Sequence, residues 1–145
     1  MDKRFSLHEQ FPDAVKAIRA LDVFGADSKL TNIQKELIKI RASQVNQCAF
    51  CIDMHTRDAR KYGETEQRIY LLNAWRETKL YTPAERALLA MTEEMTQIGQ
   101  QGLSDATYRE VIEHFGVDGA AQILMAVAQI NVWNRIAISL NYQFG

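Results

Sequence analysis

Apolar residues recur along most of this chain at three- and four-residue intervals, the period of a helix with one buried face. Phe11, Ala14, Val15, Ile18 and Leu21 form the first such set. They predict a helix that begins at Pro12, where proline suits the first turn, and stops near Gly25. Met1 to Gln10 lacks the pattern and is expected to be a polar arm. Leu30, Ile33, Leu37 and Ile40, with Val45 near the end, mark a second helix starting at Thr31 or Asn32. A third is predicted from Ala49 to Lys61 or Tyr62, with Gly63 as its stop. Thr65 caps a fourth, which carries Ile69, Leu72 and Trp75 on one side, with Trp75 read as core. Thr82-Pro83-Ala84-Glu85 combines a capping box with proline at the first helical position. It opens a fifth helix with Ala87, Leu88, Met91, Met95 and Ile98 on its apolar face, and Gly99 and Gly102 flank the loop that follows. Ser104 caps a sixth helix with Tyr108, Val111, Ile112 and Phe115. Asp118 caps the last, which is expected to reach about Tyr142. No strand-like alternation, repeat or linker interrupts the series, so the pattern predicts one all-α domain of six or seven helices over residues 1–145.

The last helix breaks its own rule. Ile123, Leu124, Val127, Ile130, Ile136 and Leu140 make it apolar over most of its circumference, yet it also carries Gln129, Asn131, Asn134 and Arg135. The plain reading is that this polar set faces water. The alternative is that it meets a neighbouring subunit or the rim of a site. A helix so apolar is normally covered on several sides, and in a small protein another subunit can supply part of the cover.

Composition narrows the class. A chain of 145 residues suits one domain and can bury roughly 70% of its unfolded surface. A net charge of −1 provides no basic footprint, so no nucleic-acid partner is expected. Met1 to Arg19 has no apolar run of the kind a signal peptide needs. The most apolar stretch, Ala120 to Ile130, is interrupted by Gln122 and Gln129 and is too short to span a bilayer, so no membrane association is expected. Two cysteines without an export signal fit a reducing, cytoplasmic compartment, where a disulfide is more often catalytic than structural.

Both cysteines lie in one stretch, Cys48-Ala49-Phe50-Cys51-Ile52-Asp53-Met54-His55. If it is helical from Ala49 on, His55 lies one turn beyond Cys51 on the same face. An imidazole in reach of a thiol is a general base for making thiolate, the form that reacts with disulfides and peroxides. Cys48 then falls at the cap position, close enough for a disulfide with Cys51. Two buried structural cysteines would suit a lone residue better than a pair at this spacing. A closed zinc site normally needs four ligands, and there is no second pair, since His8 and His114 are isolated. A thioredoxin-type centre follows a strand, and none precedes Cys48. A dithiol redox centre on a helical scaffold fits the stretch best, and no resident metal or cofactor is expected.

Glu36 enters through geometry. On its own it reads as a solvated charge beside Lys35 or Lys39. If the chain turns near Asn46 and Gln47, however, the second and third helices form an antiparallel hairpin. Position 36 then faces about position 58, one turn or roughly 4.5 Å from His55. A glutamate can cover that distance, directly or through a water, and orient the imidazole.

Glu36, eleven intervening residues, Cys48-x-x-Cys51 and His55 together resemble the motif of the alkyl hydroperoxidase D-like group in the carboxymuconolactone decarboxylase superfamily. The run from Ile40 to His55 is similar to that group's core, and the resemblance extends over residues 10 to 142, including Asn131-x-Trp133-Asn134-Arg135. It implies an all-helical fold assembled as homotrimers or hexamers. It also implies a peroxidase or disulfide reductase that works through the cysteine pair. Phe50 stands where the founding peroxidase has a histidine, which removes one polar partner. The superfamily's lactone decarboxylases typically lack the cysteine pair.

These residues assign roles. Cys51 lies in the first turn of its helix, where open amides favour an anion, and is the expected attacking residue. Attack on a peroxide would leave a sulfenic acid, and Cys48 would condense with it to a disulfide. An external dithiol, which the resemblance suggests is dihydrolipoyl, would reopen the bond by exchange. His55 acts as base and Glu36 holds it. Two other classes remain: a non-redox enzyme using His55 and Glu36 as acid and base, and a metal-binding protein using Cys48, Cys51 and His55.

Overall fold

Thr31 and Gln34 open the helix against which the others assemble. Thr31 Oγ1 accepts the Gln34 amide at 3.1 Å, and Gln34 Oε1 accepts the Thr31 amide at 2.9 Å. This reciprocal cap satisfies two donors that every helix start leaves open. The computed structural model describes residues 1–22 and 27–144, and every regular element among them is helical. In chain order these are α1 (Leu7–Gln10), α2 (Pro12–Arg19), a 3-10 turn (Ala20–Asp22), α3 (Asn32–Val45) and α4 (Ala49–Lys61). There follow α5 (Glu66–Tyr70), a 3-10 stretch (Leu72–Glu77), α6 (Pro83–Thr96), α7 (Ile98–Gln101) and α8 (Asp105–Ser139). The all-α class read from the hydrophobic pattern is the class of the structure. The helix stop expected at Gly25 lies outside the described residues.

Three predicted boundaries differ. The fourth helix divides into α5 and the 3-10 stretch, and near the division the Arg68 carbonyl accepts the Tyr81 hydroxyl. The expected loop between Gly99 and Gly102 contains α7, with Ile98 exposed on it rather than buried on the preceding helix. The sixth and last helices run on as α8, separated only by a break at Gly116 with φ 67° and ψ −177°. Ser104 caps α8 as expected, accepting the Thr107 amide at 3.3 Å, and the helix ends at Ser139.

α3 is the central helix. One core cluster, with Ile38, Ala42, Leu88, Met91, Ile123, Val127 and Ile130, fills the space between α3, α6 and α8. A second, with Leu37, Ile40, Ala59, Leu72, Trp75 and Leu89, fills the opposite side toward α4 and the 3-10 stretch. Leu37, Ile38 and Ile40 are therefore fully buried, and the single stripe read from the sequence is two covered faces. Each such aliphatic side chain stabilises the fold by about 1.5–3 kcal/mol of transfer free energy. A third, small cluster of Cys48, Cys51 and Ala137, with Phe50 and Tyr142 against it, joins the start of α4 to the end of α8. By length and composition alone α8 could cross a bilayer, a reach the Ala120 to Ile130 stretch did not reveal. In the structure it packs against α3 and α6.

Candidate active site

Cys48 stands where two helix-end motifs meet. At the end of α3, Asn46 is the C-cap and Gln47 is left-handed with φ 59°. The Cys48 amide donates to the Ser43 carbonyl at 2.9 Å, and the Gln47 amide donates to the Gln44 carbonyl at 3.2 Å. That pair of bonds is a Schellman motif, which satisfies carbonyls the helix would otherwise leave open. Cys48 is also the N-cap of α4, and its Sγ accepts the Cys51 amide at 3.3 Å. Glycine usually occupies the left-handed position, as Gly63 does with φ 96° just beyond α4. With one short turn fixed at both ends, Cys48 and Cys51 have Cα atoms 5.3 Å apart and are joined in a disulfide.

His55 lies one turn beyond Cys51 on α4, and its Nδ1 is 2.9 Å from Glu36 Oε2. The antiparallel hairpin of α3 and α4 thus brings Glu36 to His55 directly, without an intervening water. Glu36 is 5% exposed, so it is not the solvated charge that the residue taken alone would suggest. Lys39 Nζ lies 3.6 Å from its other oxygen. A carboxylate can only accept, so Nδ1 carries the proton of this bond when the imidazole is neutral. Nε2 is left with the lone pair that can take a proton. Asp58 completes a group with Glu36 and His55 whose ligand atoms all lie within 4.8 Å of one another and could hold a metal ion. Its place follows from the hairpin register, which set position 58 opposite position 36. The alternative metal set of Cys48, Cys51 and His55 is not assembled here, since the two sulfurs are bonded to each other.

A cavity of about 450 Å³ opens onto this chemistry, and both Cys51 and His55 line it. Cys48 does not, and it is 1% exposed against 4% for Cys51. Much of the wall is apolar: Val15, Phe50, Met54, Trp133, Ala137 and Tyr142. Phe50 packs edge-on to Tyr142 with ring centroids 5.5 Å apart. The lining also includes His8, Arg19 and Lys39. The sequence reading missed the contribution of the N-terminal segment and took His8 as isolated. Met1 to Gln10 is more than a polar arm. Arg4 donates through its amide to the Leu140 carbonyl and through Nη1 to the Ser139 carbonyl, both at 3.0 Å. Lys3 lies over the Tyr142 ring. No local pattern announces these contacts, because they join the two ends of the chain. The polar set on the last helix is also not simply water-facing: Gln129 is buried and lines the cavity, and Asn134 is 0% exposed.

Helical fold, cysteine pair and buried glutamate–histidine pair together define a dithiol protein of the alkyl hydroperoxidase D type. The chain belongs to the carboxymuconolactone decarboxylase family, whose model matches residues 9–94 and so includes Glu36, Cys48, Cys51 and His55. Among curated proteins it is similar to the uncharacterized protein YdfG of Bacillus subtilis, with 44% identity over 140 residues, covering 97% of this chain and 95% of that one. Among solved structures it resembles an Agrobacterium tumefaciens protein of unknown function suggested to be the antioxidant defence protein AhpD. The TM-score is 0.92 at 38% identity, over 99% of each chain. The debrominase Bmp8 shares the fold at 18% identity and a TM-score of 0.79, covering 94% of this chain and 74% of that one.

Proposed function

We propose that the protein is a thiol-dependent peroxidase in which Cys51 attacks, Cys48 resolves, and His55 with Glu36 moves the proton. The observation that carries this reading is the placement of Cys51. It is the sulfur that lines the cavity together with His55, whose imidazole is paired with the buried Glu36 carboxylate, while its partner sulfur lies behind it at disulfide distance. His55 Nε2 takes the Cys51 thiol proton. The thiolate attacks one peroxide oxygen, the O–O bond breaks, and the departing alkoxide takes the proton back to leave as an alcohol, or as water from hydrogen peroxide. Cys51 is then a sulfenic acid. The Cys48 sulfur displaces its hydroxyl, which leaves as water, and the disulfide forms. An external dithiol reopens the bond by exchange and is itself oxidised to a disulfide. A dihydrolipoyl group suits that role, and a reducing, cytoplasmic compartment would supply it.

The apolar wall favours an organic hydroperoxide as the oxidant, since burial of its carbon portion adds to binding. The non-redox reading would use the same Glu36–His55 pair and leave the cysteines idle. Thiol counting separates the two. One equivalent of peroxide added to the reduced protein should remove both thiols and lower the mass by two hydrogens. Two thiols surviving that treatment would set the peroxidase reading aside in favour of acid–base chemistry.

A further inference from the structure

The turn that presents Cys48 is held by more than the two helices it joins. Asn134, on α8, is fully buried. Its Oδ1 accepts a hydrogen bond from Asn46 Nδ2 at 2.9 Å, and its Nδ2 donates to Ser43 Oγ at 2.9 Å. The Ser43 hydroxyl donates in turn to the Lys39 carbonyl at 2.6 Å. Asn46 Nδ2 also donates to Asn131 Oδ1 at 2.9 Å, and Asn131 Nδ2 donates to Thr96 Oγ1 at 3.1 Å. No described buried side-chain nitrogen or oxygen is left without a partner. A buried polar network that is fully satisfied fixes one arrangement of the elements it joins, so the Asn134 amide contributes orientation as well as stability.

The amide touches both ends of the Cys48 turn. Ser43 is the residue whose carbonyl receives the Cys48 amide, and Asn46 directly precedes left-handed Gln47. The same stretch of α8 brings Ala137 against the sulfurs and Trp133 to the cavity. We propose that Asn134 is a positioning residue for the Cys48–Cys51 couple, acting through Asn46 and Ser43 to keep Cys48 at the head of α4 when the disulfide is open. The proposal rests on the dithiol reading above only in taking the two cysteines as a reversible couple. In the dithiol form no S–S bond holds Cys48 in place. A clamped turn keeps its sulfur at high effective concentration beside Cys51. A loosened turn lowers that concentration, so the disulfide forms less readily and is reduced more readily.

The equilibrium itself is the test, with no peroxide involved. The Cys48–Cys51 disulfide plus one dithiothreitol, as its dithiol, yields the two protein thiols plus cyclic oxidised dithiothreitol. Two electrons and two protons pass to the protein. Wild type, Asn134→Leu, Asn134→Asp and Asn46→Ala are equilibrated across oxidised and reduced dithiothreitol mixtures at fixed pH, then alkylated and weighed. Leu72→Ala, in the second core cluster, serves as a control that lowers stability without touching the turn. Asn134→Leu and Asn46→Ala should each shift the equilibrium about tenfold toward the dithiol, or about 30 mV more oxidising. The two changes combined should shift it by less than their sum, because both break one chain of bonds. Asn134→Asp keeps the acceptor for Asn46, loses the donor to Ser43, and should fall between. Leu72→Ala should melt earlier with its midpoint unmoved. Midpoints for Asn134→Leu and Asn46→Ala no further from wild type than that of Leu72→Ala would overturn the proposal. If Asn134→Leu does not fold, Asn46→Ala decides alone. A wild-type disulfide that never equilibrates with the buffer sinks the dithiol reading as well, whereas a wild type that titrates normally beside unmoved variants sinks this inference alone.

Discussion

A single imidazole carries most of the proposed chemistry at the scale of one residue. His55 has Nδ1 committed to Glu36 and only Nε2 left to exchange a proton. Removing it should slow peroxide-driven thiol loss at neutral pH by roughly 10²–10⁴-fold, the usual contribution of a positioned general base. Alkaline pH should recover part of the rate in His55→Ala, because hydroxide can then make the thiolate. Glu36→Gln keeps the shape of the contact, but a neutral amide does not stabilise the imidazolium as a carboxylate does. Its rate should lie between those of wild type and His55→Ala. Stopped-flow thiol assays across pH check both variants, and a pH-independent defect in His55→Ala would argue against its role as base.

Among elements, the α3–α4 hairpin sets the site, and its turn carries strain. Gln47 is left-handed without being glycine, which costs an L-residue roughly 1–2 kcal/mol. Gln47→Gly should therefore raise the unfolding free energy by about 0.5–1 kcal/mol once glycine's own entropy cost is subtracted. Chemical denaturation measures it, and a loss of stability would show that the Gln47 side chain contributes something the turn geometry does not capture. Much of this hairpin was legible in advance. Helical spacing placed α3 and α4, the Gly63 stop held, and hairpin register brought Glu36 to His55 from 19 positions away. Local periodicity sees one face at a time, so it read α3 as half-exposed when two cores cover it. It also could not join the ends of the chain. The wall built by His8, Val15 and Arg19, and the bonds from Arg4 to the end of α8, depend on tertiary packing that leaves no local signal. Asn134 was conspicuous as a polar residue on an apolar helix, but its partners Ser43 and Asn46 lie about ninety positions earlier.

At the scale of the whole molecule, two properties follow from charge and surface. Burial works to raise the Glu93 carboxyl, but hydrogen bonds from Arg76, Trp75 and Arg41 outweigh it and hold the group below the usual carboxylate range. A depressed folded-state value favours the fold above the unfolded value, near pH 4, and that contribution is lost as pH falls through the folded value. Melting temperature should drop over that acid window. Glu93→Gln should be less stable at pH 7 by about 1–3 kcal/mol yet lose less on acidification, and equal acid sensitivity in the two proteins would count against this assignment. Leu124 and Ile138 are exposed on α8, and we propose that a homotrimer or a hexamer of two trimers covers them. Light scattering at micromolar concentration should report a trimer or hexamer, and a stable monomer would exclude it. The central claim concerns the division of labour between the two sulfurs. Reduced Cys48→Ser and Cys51→Ser proteins, each treated with an organic hydroperoxide in the presence of dimedone and weighed, test it most directly. The account predicts a dimedone adduct on Cys51 in Cys48→Ser, followed by over-oxidation when dimedone is omitted. It predicts no adduct in Cys51→Ser. An adduct on Cys48 in Cys51→Ser, with Cys48→Ser inert, would reverse the roles and contradict the account.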